Sequence, residues 1–172
     1  MDIAYFAKLF ATEKHEGQMR KCGKPYITHP EAVAELIGKY KKSVNIKRLQ
    51  AAAWLHDVLE DTDTTYYDLV ESFGYDIASL VMEVTNNDDM KEELGKQSYL
   101  AYKIKHLTSY GLLIKLCDRL HNCTELEYGD DDFKKRYIEE THFVLDYIEN
   151  NRELTPAHEE IIIDIKKILE SL

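Results

Sequence analysis

Four ionisable side chains crowd one short stretch of this chain. His56 and Asp57 adjoin in AAAWLHDVLEDT, and Glu60 and Asp61 follow one turn later, among Ala, Trp, Leu and Val. If the segment is helical, His56 stacks over Glu60 and Asp57 over Asp61 on adjoining strips of one face. Burying that many charges without partners would cost roughly as much as the whole stability of a typical domain. A metal ion would turn this penalty into a site. Imidazole and carboxylate together suit Mn²⁺, Fe²⁺ or Zn²⁺.

Such an ion needs three or four donors converging on one point. Neighbours on a helix lie about 100° apart round its axis, so an ion just off the face is within reach of both His56 and Asp57. The remaining donors must come from elsewhere. His29 is held before Pro30 by a rigid X-Pro junction at the start of a helix. Asp118, in LLIKLCDRLHN, is a carboxylate inside a leucine-rich helix, poorly solvated and in want of a cation. Each has a plainer reading: a hydrogen-bonded His–Asp pair, a helix cap, an ion pair with Arg119. Residues i and i+1 do not face each other, which weakens the last. Their joint occurrence in the order His, His-Asp, Asp favours the metal.

The elements that must position these residues are helices. Only three prolines and seven glycines punctuate the chain, helical spacing runs nearly throughout, and no alternating pattern marks a strand. Ile3, Phe6, Ala7 and Phe10 make one helical face, and a basic loop, KHEGQMRKCGKPYITHP, follows. Pro30 is read as opening a second helix. Asn45 is read as capping a third that runs to about Asp61. Thr65 and Asp68 resemble a capping box, and Gly74 ends that helix. Ile77, Leu80, Val81 and Val84 mark the next. NNDDMKEELGK has few apolar anchors and reads as a mobile loop that orders on substrate. Leu100, Ile104 and Leu107 predict another helix, and Leu112, Leu113, Leu116 and Leu120 a strongly apolar one. Two further helices, over about 131–171, carry Phe133 to Ile148 and, after Thr155-Pro156, Ile161 to Leu172. The expectation is one all-α domain over residues 1–172.

Bulk properties narrow the function. The chain has 172 residues, 44 % apolar and 31 % charged, with a net charge of −10, as suits a folded domain. Its acidity disfavours nucleic acid as a partner and requires a local basic pocket for any anionic substrate. Cys22, Cys117 and Cys123 lack CxxC spacing and read as free thiols of a reducing compartment. No segment has the apolar length of a membrane span or a signal peptide, so the expected location is cytoplasmic.

Three blocks, KHEGQMRKCGKPYITHPEAVA, AAAWLHDVLEDTDTT and KLCDRLHN, closely resemble signature blocks of the hydrolase domain of the RelA/SpoT family, small stand-alone alarmone hydrolases above all. The resemblance covers roughly residues 1–126 and is specific, since the blocks occur in order at sensible spacing. It implies the all-helical fold of the HD-domain phosphohydrolases, the metal ligands His29, His56, Asp57 and Asp118, one ion, typically Mn²⁺, and the acidic catalytic pair Glu60 and Asp61. The implied reaction removes the 3′-pyrophosphate of guanosine tetra- or pentaphosphate (ppGpp or pppGpp), giving GDP or GTP and pyrophosphate. The ion would polarise the phosphate, and the acidic pair would orient and deprotonate water. Arg20 falls where the family stacks an arginine on the guanine, Lys21 lies near substrate, and Asn122 matches a substrate-contacting position. Lys115, one turn from Asp118, is a further phosphate candidate.

The sequence departs from the family twice. Lys24 stands where glutamate is usual, and Cys123, Thr124 and Glu125 replace the common Met-Arg-Thr, which puts one nucleotide contact in doubt. The length leaves no room for a synthetase domain, so a hydrolase-only role is expected. The alternatives are an HD phosphohydrolase acting on another nucleotide, such as an adenosine alarmone or NADPH, and a non-catalytic nucleotide-binding module.

Overall fold

The computed structural model describes residues 2–172, and these form eleven α-helices. In order they are α1 (Ile3–Lys14), α2 (Thr28–Tyr40), α3 (Ile46–Trp54), α4 (Val58–Asp61), α5 (Tyr66–Phe73), α6 (Tyr75–Val84), α7 (Asp88–Leu94), α8 (Lys96–His106), α9 (Ser109–Thr124), α10 (Asp131–Asn151) and α11 (Pro156–Glu170), with a 3₁₀ turn at Leu126–Tyr128. Among the described residues no β-strand forms. The loop after α1 folds back through a single bridge between Met19 and Pro25. Gly23, at φ +79°, makes the tight reversal that a side chain would strain.

Local chemistry fixes most boundaries. Thr65 and Asp68 exchange the two hydrogen bonds of a capping box at the start of α5, and Thr155 with His158 does the same for α11, whose first residue is Pro156. Four expectations need correction. α2 begins at Thr28, two residues before Pro30, with Ile27 as its cap. Pro30 still lies in the first turn, where its missing N–H leaves no bond unmade. Asn45 sits at the start of α3 but its side chain makes no capping bond. NNDDMKEELGK is not a loop: the Asn87 side chain accepts the Met90 N–H and starts α7, so a good cap prevails over the shortage of apolar anchors. Finally, the third helix stops at Trp54 instead of continuing to Asp61, for a reason that belongs to the site.

Helix α9 runs through the middle of the molecule. Leu112, Leu113, Ile114, Leu116, Cys117, Leu120 and Cys123 are all buried, so most of its circumference faces protein, and α2, α6 and α11 pack around it. The consecutive buried alanines Ala51, Ala52 and Ala53 let α3 approach α1 and α2 closely. Truncating the buried Leu116 to Ala would cost about 2–5 kcal/mol. The long helix α10 leans on α8, and between them and α9 opens a cavity of about 360 Å³. The same packing brings α2, the α3–α4 junction and α9 together at one point.

Candidate metal centre

The break after Trp54 is made by His56 itself. Its Nδ1 lies 2.7 Å from the carbonyl of Ala53. A carbonyl can only accept, so Nδ1 carries the proton and competes for the helix's own acceptor. The backbone turns through Leu55–Asp57 and restarts as the four-residue α4. Two consequences follow. His56 does not stack over Glu60 on a continuous helix, and its Nε2 is left as a bare lone pair. That atom is buried and has no hydrogen-bond partner among the described residues. A buried acceptor without a donor is costly unless something else occupies its lone pair.

Three elements deliver donors to that lone pair. One atom each of His29, His56 and Asp118 lie within 4.8 Å of one another. His29 Nε2 is 3.2 Å from Asp118 Oδ1 and 3.5 Å from Asp57 Oδ2, and His56 Nε2 is 3.2 Å from Asp57 Oδ2 and 4.0 Å from Asp118 Oδ1. The mutual set omits Asp57, whose carboxylate is also drawn to the Tyr26 hydroxyl at 2.7 Å. Like charge keeps the two carboxylates from closing in on each other. Burial alone would raise both carboxyls. For Asp118 the hydrogen bond with His29, then Lys115 and the imidazoles, reverse this and hold it well below the ordinary range. For Asp57 the neighbouring His56, against the charge of Asp118, brings it below its ordinary value. A bound ion would take over the role of these imidazole charges: two imidazole nitrogens, neutral once it displaces their protons, and one or two ionised carboxylates form a donor set suited to a divalent ion. The residues fit the group that the sequence asks for, and the unpaired Nε2 of His56 is the observation that says so.

Around the cluster the expected residues divide. Adjacent positions on α4 point in different directions, so Glu60 and Asp61 part company. The Tyr26 hydroxyl lies 2.7 Å from both Asp61 Oδ2 and Asp57 Oδ2 and donates its single proton to one of them at a time, which ties Asp61 to Asp57. Glu60 turns to Asn86, accepting its backbone N–H at 2.7 Å and its side-chain amide at 2.9 Å. Both carboxylates stay solvent-exposed. Asn122 donates to Asp118 Oδ1 at 2.6 Å and accepts from Arg20 Nη2 at 2.8 Å. Arg20 in turn donates twice to Glu125, at 2.7 and 3.0 Å. A continuous relay therefore runs from Glu125 through Arg20 and Asn122 to Asp118. Arg20, Lys21 and Asn122 line a cavity of about 320 Å³ walled by Tyr26, Phe133 and Tyr137. Lys21 places its ammonium 3.5 Å from the Phe133 ring centre. Lys115 lies 3.6 Å from Asp118 Oδ2 and lines the larger cavity with Asp118 and Asn122. Lys24 is exposed and lines neither cavity.

Three neighbours carry weight that the sequence alone left unassigned. Tyr26 bridges Asp57 and Asp61. His121 meets His29, Nδ1 to Nδ1, at 2.8 Å. Lys103, on α8, faces the larger cavity. Tyr26, just before α2, and His121, one helical turn along α9, sit three residues before His29 and three after Asp118, which is the spacing that could have flagged them.

Comparison with known proteins gives the family of the chain. A family model described as HD domain matches residues 7–148. The chain belongs to the HD-domain family. This HD domain is 39 % identical over 140 residues to the bifunctional (p)ppGpp synthase/hydrolase SpoT of Escherichia coli (strain K12), covering 78 % of this chain and 20 % of that protein. It is 35 % identical over 119 residues to the guanosine-3′,5′-bis(diphosphate) 3′-pyrophosphohydrolase MESH1 of Danio rerio, covering 68 % of this chain and 65 % of that one. The chain thus spans about a fifth of the length of SpoT. In fold, the HD domain matches the solved structure of a metazoan ortholog of SpoT that hydrolyzes ppGpp, with a TM-score of 0.83 at 23 % identity over 99 % of this chain and 96 % of that one. Among the described residues no helix is long and apolar enough to cross a membrane.

Proposed function

We propose that this HD domain, acting as one unit over residues 1–172, removes the 3′-pyrophosphate of guanosine tetra- or pentaphosphate, with Mn²⁺ held by His29, His56, Asp57 and Asp118. The observation that carries the reading is the buried, unpartnered Nε2 of His56 facing Asp118 and His29 in a chain related to proteins named as 3′-pyrophosphohydrolases. When bound, the ion supplies Lewis acidity at the reacting phosphate.

The chain's own residues supply the rest. Asp61, next to the ligands through Tyr26, takes the proton of the attacking water, and Glu60, anchored by Asn86, orients that water. A bond forms from the water oxygen to the 3′-linked phosphorus, the bond from that phosphorus to the ribose 3′-oxygen breaks, and that oxygen ends protonated as the 3′-hydroxyl. Arg20 presents a planar guanidinium to the base, and Lys21 and Asn122 bind on the same side. Lys115 meets phosphate beside Asp118.

Product analysis tests this. The purified protein with Mn²⁺ is expected to release pyrophosphate and GDP from ppGpp. Turnover confined to an adenosine alarmone or to NADPH would move the assignment to another substrate, and binding of ppGpp without turnover would make the protein a sensor.

A further inference from the structure

Lys103 has no role in the proposed reaction, yet its setting is unusual. It lies four residues after the buried Tyr99 on α8, so the helix turns it inward while Lys105 stays outside. It lines the larger cavity together with Lys115, Asp118 and Asn122. The other cationic residues of that wall have carboxylate partners: Arg119 and Lys96 meet Glu140, Lys91 meets Asp88, and Lys115 meets Asp118. Lys103 makes no ion pair among the described residues and donates only to the carbonyl of Thr85. Behind it the wall is apolar, with Ile104, Leu107 and Leu112. Burial, then the charge of Lys115, draw its ammonium down to about 8, against the opposing pull of Glu60 and Glu83. Two ammonium groups on one cavity wall, one of them unpaired, invite a multivalent anion.

We propose that Lys103 and Lys115 together form the seat of a terminal pyrophosphoryl group, Lys115 reaching it from α9 beside Asp118 and Lys103 from α8. The identification of that anion with the leaving group of a 3′-diphosphorylated nucleotide rests on the function proposed above. Pyrophosphate offers a charged phosphoryl group to each of the two ammonium groups, whereas orthophosphate has a single one.

The competing account is that Lys103 only ties the end of α8 to the end of α6 through Thr85. Calorimetric titration of the Mn²⁺-loaded protein with inorganic pyrophosphate separates the two. Lys103→Met should weaken pyrophosphate binding by at least about fivefold, the loss of one charge-assisted contact. Lys103→Arg should restore it, and Lys105→Met, an equal change of net charge, should leave it alone. A change below fivefold in Lys103→Met, with or without a lowered Tm, overturns the seat, as does equal affinity of the wild type for orthophosphate and pyrophosphate. If Lys103→Met does not fold, protection of the Lys103 amine from acetylation by pyrophosphate, read by mass spectrometry in the wild type, decides instead, and equal labelling with and without pyrophosphate overturns the seat. Failure is separable from that of the proposed function. Turnover of ppGpp with unaltered pyrophosphate binding in Lys103→Met sinks the seat alone, and a lost pyrophosphate site in Lys103→Met with no turnover of ppGpp by the wild type sinks the function alone.

Discussion

Substitution of His121 should weaken metal binding although His121 is no ligand in the proposed set. Its Nδ1 lies 2.8 Å from Nδ1 of His29, so one of the two carries the shared proton. Burial, and then the neighbouring His29, push His121 down to about 4, so near neutral pH it is an uncharged ring able to accept. Binding an ion through Nε2 requires His29 to be protonated on Nδ1, and His121 is the acceptor that stabilises that tautomer. Its loss should cost about 10- to 100-fold in metal affinity, the usual effect of removing such a partner, or about 1.4–2.7 kcal/mol. His121→Phe keeps the ring volume and removes the acceptor. His121→Asn keeps an amide oxygen that can accept from Nδ1 and should recover part of the affinity. Mn²⁺ titration followed by the electron paramagnetic resonance of the free ion reads both. Affinity in His121→Phe within about twofold of the wild type would refute the tautomer argument, and so would equal losses in the Phe and Asn variants, since the acceptor that Asn keeps would then restore nothing.

Other outcomes follow from the same geometry. Asp57→Ala should lose Mn²⁺ binding and turnover together, measured by titration and by pyrophosphate release; retained metal affinity would remove Asp57 from the ligand set. Glu60→Gln should keep the metal, since Glu60 touches Asn86 and not the cluster, and should lose roughly 10²–10⁴-fold in kcat if Glu60 takes part in handling water; unchanged kcat would exclude it. Lys103 has a pKa near 8, below its ordinary 10.5, so its charge is complete well below pH 8 and is lost as pH rises through 8. Pyrophosphate affinity, taken as the ratio of wild type to Lys103→Arg to cancel the titration of the ligand, should therefore fall above pH 8, and a flat ratio to pH 9.5 would contradict the assignment. The stability effect has the opposite sense: the burial that lowers this pKa disfavours the folded state where Lys103 is charged, and folding gains as pH rises from 8 towards 10.5.

The helical fold was legible in the sequence because its apolar spacing and caps are local. Thr65 with Asp68 and Thr155 with Pro156 act within one turn, and both do what their spacing predicts. The boundary at Trp54 was not legible, since it depends on one imidazole choosing the Ala53 carbonyl over solvent. Periodicity could not show this, because His56 fits a helical register as well as a break. The expected ligand quartet is brought together in space, with Asp57 outside the mutual set of three. What the sequence could not supply is the second ring of contacts. Tyr26 was equally readable as packing or as pocket wall, and its place between two carboxylates depends on the loop bridge between Met19 and Pro25. Lys103 reads as one basic residue in the last turn of a helix, where Lys105 and His106 look the same. Only the packing of α8 against α10 separates the inward lysine from the outward ones.

The relay from Glu125 to Asp118 gives a reason for the departure from the family at Glu125. Arg20, expected to stack on a base, is already fixed in place by two bonds to Glu125 and one to Asn122. Such fixation lowers the entropy lost when a ligand binds and holds the guanidinium plane ready for stacking. It also links the proposed base site to the proposed metal site, because Asn122 uses its other end on Asp118. Glu125→Thr, which restores the usual family residue, should free Arg20 and raise KM while leaving Mn²⁺ affinity within about threefold, since the Asn122–Asp118 bond does not need Glu125. Measured with ppGpp, an unchanged KM would show that Arg20 is oriented by the substrate instead. A large loss of Mn²⁺ affinity would show that the relay acts as one unit and that the base side of the cavity helps to set the geometry of the metal side.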